Sequence, residues 1–281
     1  MTSTHPNKIS FSKYHGHGND FIVLDDTQEE LQLSREIRHL MCNRKYGIGA
    51  DGLVILKKSV DHSFVIDYYN ADGNPGSLCG NGSRCGVAFA RKLGLFDTVC
   101  DFVACDGLHI ARYIQDNDTY AVSFGNRYFH DIETIDDQNF FVNTGSPHHV
   151  RYVNDLNNYD VINEGKKLRY GKYADTNGSN VNFVEKKSDG NIFVRTYERG
   201  VDGETEACGT GAVASALVTK FRNLQDGGKD TYKKLKTSCD IHMAGGKLIV
   251  VFDITENSFT NIELIGSACH VFNGIYYFNT E

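Results

Sequence analysis

The alternation of hydrophobic and polar positions predicts two places where a strand leads through a glycine-rich loop into a helix. Residues 63–70 and 191–198 are rich in aromatic and β-branched residues, as strands are. The helix predicted near 83–93 ends at Gly94, a common helix terminator. The helix predicted near 212–221 carries small apolar residues on nearly every face, which is typical of a fully buried helix.

The same patterning predicts further elements. A helix is expected over 34–46, with Ser34 as its N-cap and Gly47 at its end. Most of the remaining chain alternates as strands, including 107–114, 120–124, 247–253 and 259–265. The predicted class is α+β, with a strand-rich mixed sheet wrapped around one buried helix in each half of the chain. Turn residues and charges over 125–137 indicate the crossing from one half to the other.

An internal repeat supports this division into halves. The stretch that starts at Phe64 aligns without a gap on the stretch that starts at Phe193, and Cys79-Gly-Asn-Gly then falls on Cys208-Gly-Thr-Gly. Both alignments have the same offset of 129 residues (208 − 79 and 193 − 64). A single long repeat predicts a duplicated domain, because a solenoid needs at least three units.

Composition and charge restrict the functional classes. With 40% hydrophobic and 23% charged residues in a chain of 281, the sequence resembles an ordinary globular protein. A net charge of −7 without a Lys/Arg block argues against nucleic acid as a partner. No apolar run approaches the length of a membrane span, and the first ten residues lack a signal-peptide core. We expect a soluble, cytoplasmic protein that binds neither membranes nor nucleic acid.

Eight cysteines are too few for a disulfide scaffold in a chain of this length. Their spacing fits zinc sites poorly, so no metal is expected. Most lie in apolar or mixed contexts and are predicted to be buried, inert thiols. These are Cys42, Cys85, Cys100, Cys105, Cys239 and Cys269. The other two, Cys79 and Cys208, stand among glycines at predicted helix starts.

A cysteine at a helix start combines two chemical properties. The first N–H groups of a helix have no intrahelical partner and can bind a carboxylate. A thiol at the same place is biased toward its thiolate. Two such thiols that share one proton form a base and an acid. A base and an acid on opposite sides of a carbon are what inversion of a stereocentre requires.

Six stretches together resemble the diaminopimelate epimerase family, and they occur in the family's order. They are HGHGNDF at 15–21, NADG at 70–73, CGNGSRC at 79–85, GSPH at 145–148, NVNF at 180–183 and ERGVDGETEACGTG at 198–211. The resemblance implies two pseudo-symmetric domains, 1–126 and 127–266, with the C-terminal strand 267–281 returning to the first. It also implies an active site in the cleft between the domains.

The activity that the resemblance implies is epimerisation of LL- and meso-2,6-diaminopimelate without a cofactor, in lysine and peptidoglycan precursor synthesis. The implied partner is a small amino-acid substrate, and a homodimer is compatible with the sequence. Cys79 and Cys208 would be the catalytic acid and base, with His148 and Glu198 tuning the pKa values of the two thiols. The implied substrate-binding residues are Asn19, Asn70, Gly80, Asn81, Asn180, Glu198, Arg199, Gly209 and Thr210.

Among these residues Arg199 would bind the carboxylate at the distal end of the substrate, because its planar guanidinium matches a carboxylate. The chain departs from the family at two positions. Ser146 stands where Asn is common, and Ser can replace only part of the hydrogen bonding of an amide. Gly52 stands where Gln is common, so a side-chain contact is lost there.

Other interpretations remain open at this stage. Taken singly, the asparagines fit turn residues, and Glu198 and Arg199 fit solvated surface charges. A related racemase acting on proline or hydroxyproline would keep the thiol pair but would not need the distal Arg and Asn residues. A thiol redox sensor would form a functional disulfide and bind no amino acid.

Overall fold

The computed structural model describes residues 7–176, 178–187, 190–225 and 236–278. The chain divides into two compact units, of which the first comprises Met1–Tyr120 and Ser267–Glu281 and the second comprises Ala121–Gly266. The chain leaves the first unit after Tyr120, whereas the domain boundary predicted from the sequence lies after residue 126. None of the helices in the described ranges is both long and apolar enough to cross a membrane.

Strands outnumber helices, as expected for the predicted α+β class. The strands are β1 (Asn7–Gly16), β2 (Asn19–Asp26), β3 (Gly52–Lys57), β4 (Phe64–Asn70), β5 (Val99–Ala104), β6 (Gly107–Ile114), β7 (Thr119–Phe124), β8 (Arg127–Tyr128), β9 (Glu133–Thr134), β10 (Asn139–Asn143), β11 (Pro147–Tyr152), β12 (Asn180–Lys186), β13 (Ile192–Glu198), β14 (Gly203–Thr205), β15 (Lys236–Met243), β16 (Gly246–Ile254), β17 (Ser258–Gly266) and β18 (Cys269–Phe278). The helices are α1 (Arg35–Cys42), α2 (Gly80–Lys92), α3 (Val161–Tyr170) and α4 (Gly209–Gln225).

The first unit is built on a mixed sheet around α2. Strand β1 pairs antiparallel with β18 and β2, β2 pairs parallel with β3, and β3 pairs antiparallel with β4. Strand β4 then pairs parallel with β5, which pairs antiparallel with β6. Helix α2 packs against β1 to β4 and is buried continuously from Gly80 to Ala90. The helix therefore forms the centre of the apolar core of this unit.

The second unit repeats this order of pairings. Strand β10 pairs antiparallel with β11, β11 parallel with β12, and β12 antiparallel with β13. Strand β13 then pairs parallel with β15, which pairs antiparallel with β16. Helix α4 packs against β10 to β13 and β15 to β17, and its first eleven residues are buried. The internal repeat predicted from the sequence is thus present in the topology.

Helices α2 and α4 each begin three residues before the predicted start, and α1 and α3 differ more from the sequence-based expectation. Helix α1 ends at Cys42 instead of residue 46, because Asn43 is extended and the chain turns back so that the Ile48 N–H donates to Met41. Helix α3 was not predicted. It contains Gly165, which interrupts the apolar pattern and lies against Tyr197, where a Cβ atom would be 2.5 Å from the Cβ of Tyr197.

Four cysteines predicted to be buried are buried or half-buried, and two are not. Cys42, Cys85 and Cys100 are buried and Cys239 is half-buried. The prediction was wrong for Cys105 and Cys269, which are exposed. Both positions are exposed for a structural reason. Cys105 lies in the turn between β5 and β6, and Cys269 begins a strand whose first five residues are all exposed.

Candidate active site

Cys79 is the N-cap residue of α2. Its backbone is extended (φ −111°, ψ 109°), and the Gly82 N–H donates to its sulfur over 3.4 Å. The Ser83 N–H donates to the Cys79 carbonyl over 2.8 Å, which closes the first turn of the helix. The half-buried sulfur therefore lies at the positive end of a buried helix, where an anion is favoured.

Two asparagine side chains, Asn19 and Asn81, lie beside this sulfur. Asn81 Nδ2 donates to Asn19 Oδ1 over 3.2 Å, and the same oxygen is 3.9 Å from Cys79 Sγ. The Asn19 amide is oriented by Asp51, because Asn19 Nδ2 donates to an Asp51 oxygen over 2.8 Å and a carboxylate only accepts. The carbonyl oxygen of Asn19 consequently faces the thiol.

Arg84, in the second turn of α2, is fully buried and holds Asn81 in place. Its guanidinium donates to Asn81 Oδ1 over 2.6 Å, to the Gly80 carbonyl over 3.0 Å and to His17 Nδ1 over 3.2 Å. Burial lowers the pKa of Arg84 to about 10, and the group remains a cation at neutral pH. Arg84 was not among the site residues predicted from the sequence, although a charged residue close to a glycine-rich helix start is a recognisable signal.

Two acidic and two basic residues form an ion-pair network next to Asn19. Asp20 pairs with Lys13 and with Arg44, each over 2.7 Å, and Arg44 also reaches Asp51 over 2.7 Å. Burial alone would raise the pKa of Asp20, but the hydrogen bonds from Arg44 and Lys13 outweigh it and hold this pKa far below its usual range. Asp20 therefore shares its partner Arg44 with Asp51, the residue that orients Asn19.

Asn70 is exposed at the end of β4 and lies opposite Gly52 in the register of β3 and β4. A Cβ atom on Gly52 would approach Tyr68 Cε2 and the Tyr69 carbonyl oxygen, each to 2.8 Å. The Tyr68 ring and the Tyr69 carbonyl thus occupy the space that a larger side chain at position 52 would need.

Cys208 directly precedes α4 in the second unit. The Ala212 N–H donates to its carbonyl over 2.9 Å, and its sulfur lies 3.6 Å from Thr210 Oγ1. Thr144 Oγ1 donates over 2.8 Å to the carbonyl of Thr210, the second residue of α4. Cys208 is 6% exposed, so this sulfur is more deeply buried than that of Cys79.

His148, on β11, lies beside Thr210, whose hydroxyl in turn lies beside the Cys208 sulfur. Its Nε2 lies 2.9 Å from Thr210 Oγ1, and its Nδ1 lies 3.0 Å from Asn182 Nδ2. Burial, with a smaller contribution from the charge of Arg199, lowers the pKa of His148 to about 3. The imidazole is therefore neutral at neutral pH and does not form an ion pair with a thiolate.

The remaining residues proposed to bind substrate in this unit lie around the end of β13. The Arg199 N–H donates to Asn180 Oδ1 over 2.9 Å, and Thr205 Oγ1 donates to Glu198 Oε1 over 2.6 Å. Arg169 donates to the Arg199 carbonyl. The backbone at Arg199 is thus held from two sides, while its half-buried side chain is close enough to His148 to lower that residue's pKa.

The structure brings Asn19 and Asn81 together with Cys79, and His148 and Thr210 together with Cys208. Asn180 and Arg199 meet through the backbone, and Ser146 is buried with its carbonyl accepting from the Thr144 N–H over 3.1 Å. Asn182 and Asp51 were not identified from the sequence, because an amide or a carboxylate that orients another side chain has no motif of its own. Among the residues that the structure describes, no three His, Cys, Asp or Glu side chains are grouped so as to hold a metal ion.

Comparison with known proteins gives one consistent family. The family model described as diaminopimelate epimerase matches residues 11–127 and 140–271. A diaminopimelate epimerase from Flavobacterium psychrophilum is 43% identical over 263 residues, which cover 92% of this chain and 97% of that protein. One from Aquifex aeolicus is 33% identical over 281 residues, covering 95% of this chain and 97% of that protein.

Solved structures with the same fold are far more distant in sequence. A phenazine biosynthesis protein of the PhzF family from Bacillus anthracis is 13% identical with a TM-score of 0.71, covering 96% of this chain and 99% of that chain. A hydroxyproline epimerase from Agrobacterium vitis is 14% identical with a TM-score of 0.68, covering 100% of this chain and 95% of that chain. At these identities the similarity establishes the fold alone.

Proposed function

Because this chain belongs to the diaminopimelate epimerase family and is therefore an isomerase, we propose that it interconverts LL- and meso-2,6-diaminopimelate by acid–base chemistry at one Cα. Cys79 and Cys208 are the two acid–base groups, and no cofactor takes part. The observation that carries the proposal is that these cysteines occupy equivalent positions of the internal repeat, each at the start of a buried helix. The product serves lysine and peptidoglycan precursor synthesis.

The reaction requires one thiolate and one thiol. The thiolate removes the Cα proton from one face, and the thiol on the other side of the carbon returns a proton to the opposite face. The two sulfurs exchange their protonation states in each turnover, so the reverse reaction uses the same groups with their roles reversed. Helix starts favour this chemistry, because their N–H groups stabilise a thiolate and the carboxylate next to the reacting carbon.

The backbone N–H groups that follow each cysteine bind the reacting carboxylate. They belong to Gly80 and Asn81 in the first unit and to Gly209 and Thr210 in the second. Support comes from the burial of these residues at the first turns of α2 and α4, where N–H groups lack intrahelical acceptors. A carboxylate bound there gains charge-assisted hydrogen bonds.

The non-reacting end of the substrate is an amino acid and needs its own partners. Arg199 binds the distal carboxylate, and Glu198 and Asn180 accept from the distal ammonium. Asn19 and Asn70 are the further substrate-binding residues. The difference between Arg199 and Arg195 supports this assignment. Arg195 forms a bidentate pair with Glu204 over 2.6 and 2.7 Å, whereas no described residue forms an ion pair with Arg199.

The test is solvent-isotope exchange at Cα. The purified full chain is incubated in deuterium oxide with LL-diaminopimelate and, separately, with proline, hydroxyproline, lysine and glutamate. We expect deuterium incorporation and the meso isomer with diaminopimelate only. Exchange with proline or hydroxyproline in place of diaminopimelate would overturn the proposal in favour of a single-amino-acid racemase. If none of the amino acids exchanges, the proposal is refuted and the thiol redox sensor is the interpretation that remains.

A further inference from the structure

The Asn182 amide has a single orientation that satisfies its neighbours. Its Nδ2 lies 3.0 Å from the His149 carbonyl oxygen, which can only accept, so the NH₂ group must face that oxygen. Its Oδ1 then accepts from Thr196 Oγ1 over 3.0 Å. The amide is fully buried, so both contacts are needed to satisfy its polar atoms.

This orientation determines the tautomer of His148. The second hydrogen on Asn182 Nδ2 points to His148 Nδ1 over 3.0 Å, so Nδ1 must accept. In a neutral imidazole the hydrogen then resides on Nε2, which donates to Thr210 Oγ1 over 2.9 Å. The Thr210 oxygen therefore accepts this hydrogen bond, and the hydroxyl hydrogen must point to a different acceptor.

The acceptor available to the Thr210 hydroxyl is the Cys208 sulfur, 3.6 Å away. We propose that Asn182 is a positioning residue that acts through His148 and makes the Thr210 hydroxyl donate to Cys208, which favours the thiolate of that cysteine. The inference rests on the proposed function, in which Cys208 alternates between thiolate and thiol. It assigns the stabilisation of the Cys208 thiolate to a hydroxyl and helix N–H groups rather than to an imidazolium.

Steric restriction next to the sulfur supports this chain of contacts. A Cβ atom on Gly211 would lie 2.3 Å from Asn182 Oδ1 and 3.2 Å from Cys208 Sγ. The first turn of α4 therefore approaches the Asn182 amide closely, which only a glycine at this position permits. The amide, the imidazole, the hydroxyl and the sulfur are thus held in a packed region in which reorientation is restricted.

The experiment measures the thiolate directly and without substrate. The full chain is alkylated with iodoacetamide across a pH series, and modification at Cys208 and Cys79 is followed separately by peptide mass spectrometry. Thr210→Val removes the hydroxyl and keeps the shape and backbone N–H, and Thr210→Ser restores the hydroxyl. Both variants retain His148, Glu198 and Arg199. The electrostatic effect of these residues on Cys208 is therefore the same in the two proteins.

We expect the pH midpoint for alkylation of Cys208 to rise by about one to two units in Thr210→Val, because a hydrogen bond to a charged group contributes roughly that much. The midpoint should return to the wild-type value in Thr210→Ser, and that of Cys79 should not move. Asn182→Asp should also raise the Cys208 midpoint, because a carboxylate accepts from Nδ1–H and leaves Nε2 to accept the Thr210 hydrogen.

An unchanged Cys208 midpoint in Thr210→Val would overturn the inference, and so would an equal rise in Thr210→Ser. An unchanged midpoint in Asn182→Asp would overturn the role of Asn182, and if this variant fails to fold, the Thr210 pair still decides whether the hydroxyl stabilises the Cys208 thiolate. Because alkylation is read without substrate, its result is independent of whether the chain epimerises diaminopimelate. Failure of the isotope-exchange test would therefore refute the proposed function while leaving this measurement interpretable.

Discussion

His148 Nε2 lies 2.9 Å from Thr210 Oγ1, a contact between residues 62 positions apart in the sequence. The same separation joins Asn19 and Asn81, whose side chains hydrogen-bond over 3.2 Å in the first unit. Each contact joins the first residues of a strand, β2 or β11, to the residue two places after a cysteine. The duplicated scaffold thus presents an equivalent pair of side chains to each sulfur.

The chemistry of these two pairs differs although their positions correspond. Asn19 turns a carbonyl oxygen, an acceptor, toward Cys79, whereas Thr210 offers Cys208 a hydroxyl. Asn19 is oriented by the Asp51 carboxyl group, and His148 by the Asn182 amide. The two sulfurs therefore have different polar neighbours, which suits the proposed mechanism, in which the two groups hold one proton between them.

Loss of either thiol should abolish epimerisation. Cys79→Ala and Cys208→Ala each remove one of the two groups that are proposed to act on opposite faces, and a general acid or base contributes about 10²–10⁴-fold. The measurement is conversion of LL- to meso-diaminopimelate, with circular dichroism to verify folding. Cys105→Ala is the matched control, because Cys105 is exposed in a turn. This variant should convert substrate at the wild-type rate. Near-wild-type turnover in either catalytic variant would rule out the two-thiol mechanism.

Removal of the Arg199 guanidinium should lower kcat/KM for diaminopimelate by roughly 30- to several-thousand-fold. That range follows from a cost of about 2–5 kcal/mol when one partner of a buried charge pair is truncated. Arg199→Lys should recover only part of the loss, because an ammonium cannot bind a carboxylate bidentately. Arg195→Ala provides the contrast and should lower the melting temperature rather than kcat/KM. A loss below about threefold in Arg199→Ala, far under the range above, would identify Arg199 as a surface charge.

Equivalent glycines of the two helices should respond differently to alanine. In Gly211→Ala the new Cβ would come within 2.3 Å of Asn182 Oδ1, so both the melting temperature and kcat/KM should fall. In Gly82→Ala the nearest atoms are 3.4 Å away on Phe21 and 3.5 Å away on Cys79, which are ordinary contacts. Alanine also favours a helix by about 1 kcal/mol over glycine, so the melting temperature of Gly82→Ala should be unchanged or higher. Equal destabilisation of the two variants would contradict the packing described around Cys208.

The stability of the protein should fall on acidification partly through His149. Burial, followed by the charges of Arg151 and Lys172, lowers its folded-state pKa to about 4, below the ordinary value of 6.5. The unfolded chain therefore binds a proton that the folded protein does not, and stability is full above pH 6.5 and decreases toward pH 4. At pH 5 this loss amounts to about 2 kcal/mol.

Urea unfolding at pH 7 and pH 5 measures this effect. The difference in unfolding free energy between the two pH values should be smaller by about 2 kcal/mol in His149→Gln than in the wild type. His148 is retained in the variant, so its own acid titration contributes equally to both proteins. Identical losses in the two proteins would show that His149 is not buried as a neutral base.

Much of the fold could be predicted from local pattern. The strand predicted at 107–114 is β6 (Gly107–Ile114), and that predicted at 191–198 differs from β13 (Ile192–Glu198) by one residue. The end of α1 was placed too late, because the chain reverses there through contacts between Ile48 and Met41 rather than through a residue that stops helices. Helix α3 was not predicted, because Gly165 interrupts its apolar pattern. A glycine is required there by close packing against Tyr197, a residue 32 positions further along the chain.

The sequence alone determined the two cysteine-bearing helix starts, the repeat that relates them and the family to which the chain belongs. These features are local or are shared by aligned stretches, so residue type and spacing suffice to identify them. Only the tertiary structure decided which way each amide faces, that Arg84 is buried as a cation and that His148 is neutral. The properties of Asn182 and His148 depend on donors and acceptors from strands far apart in the sequence, and these groups acquire defined partners only when the chain folds.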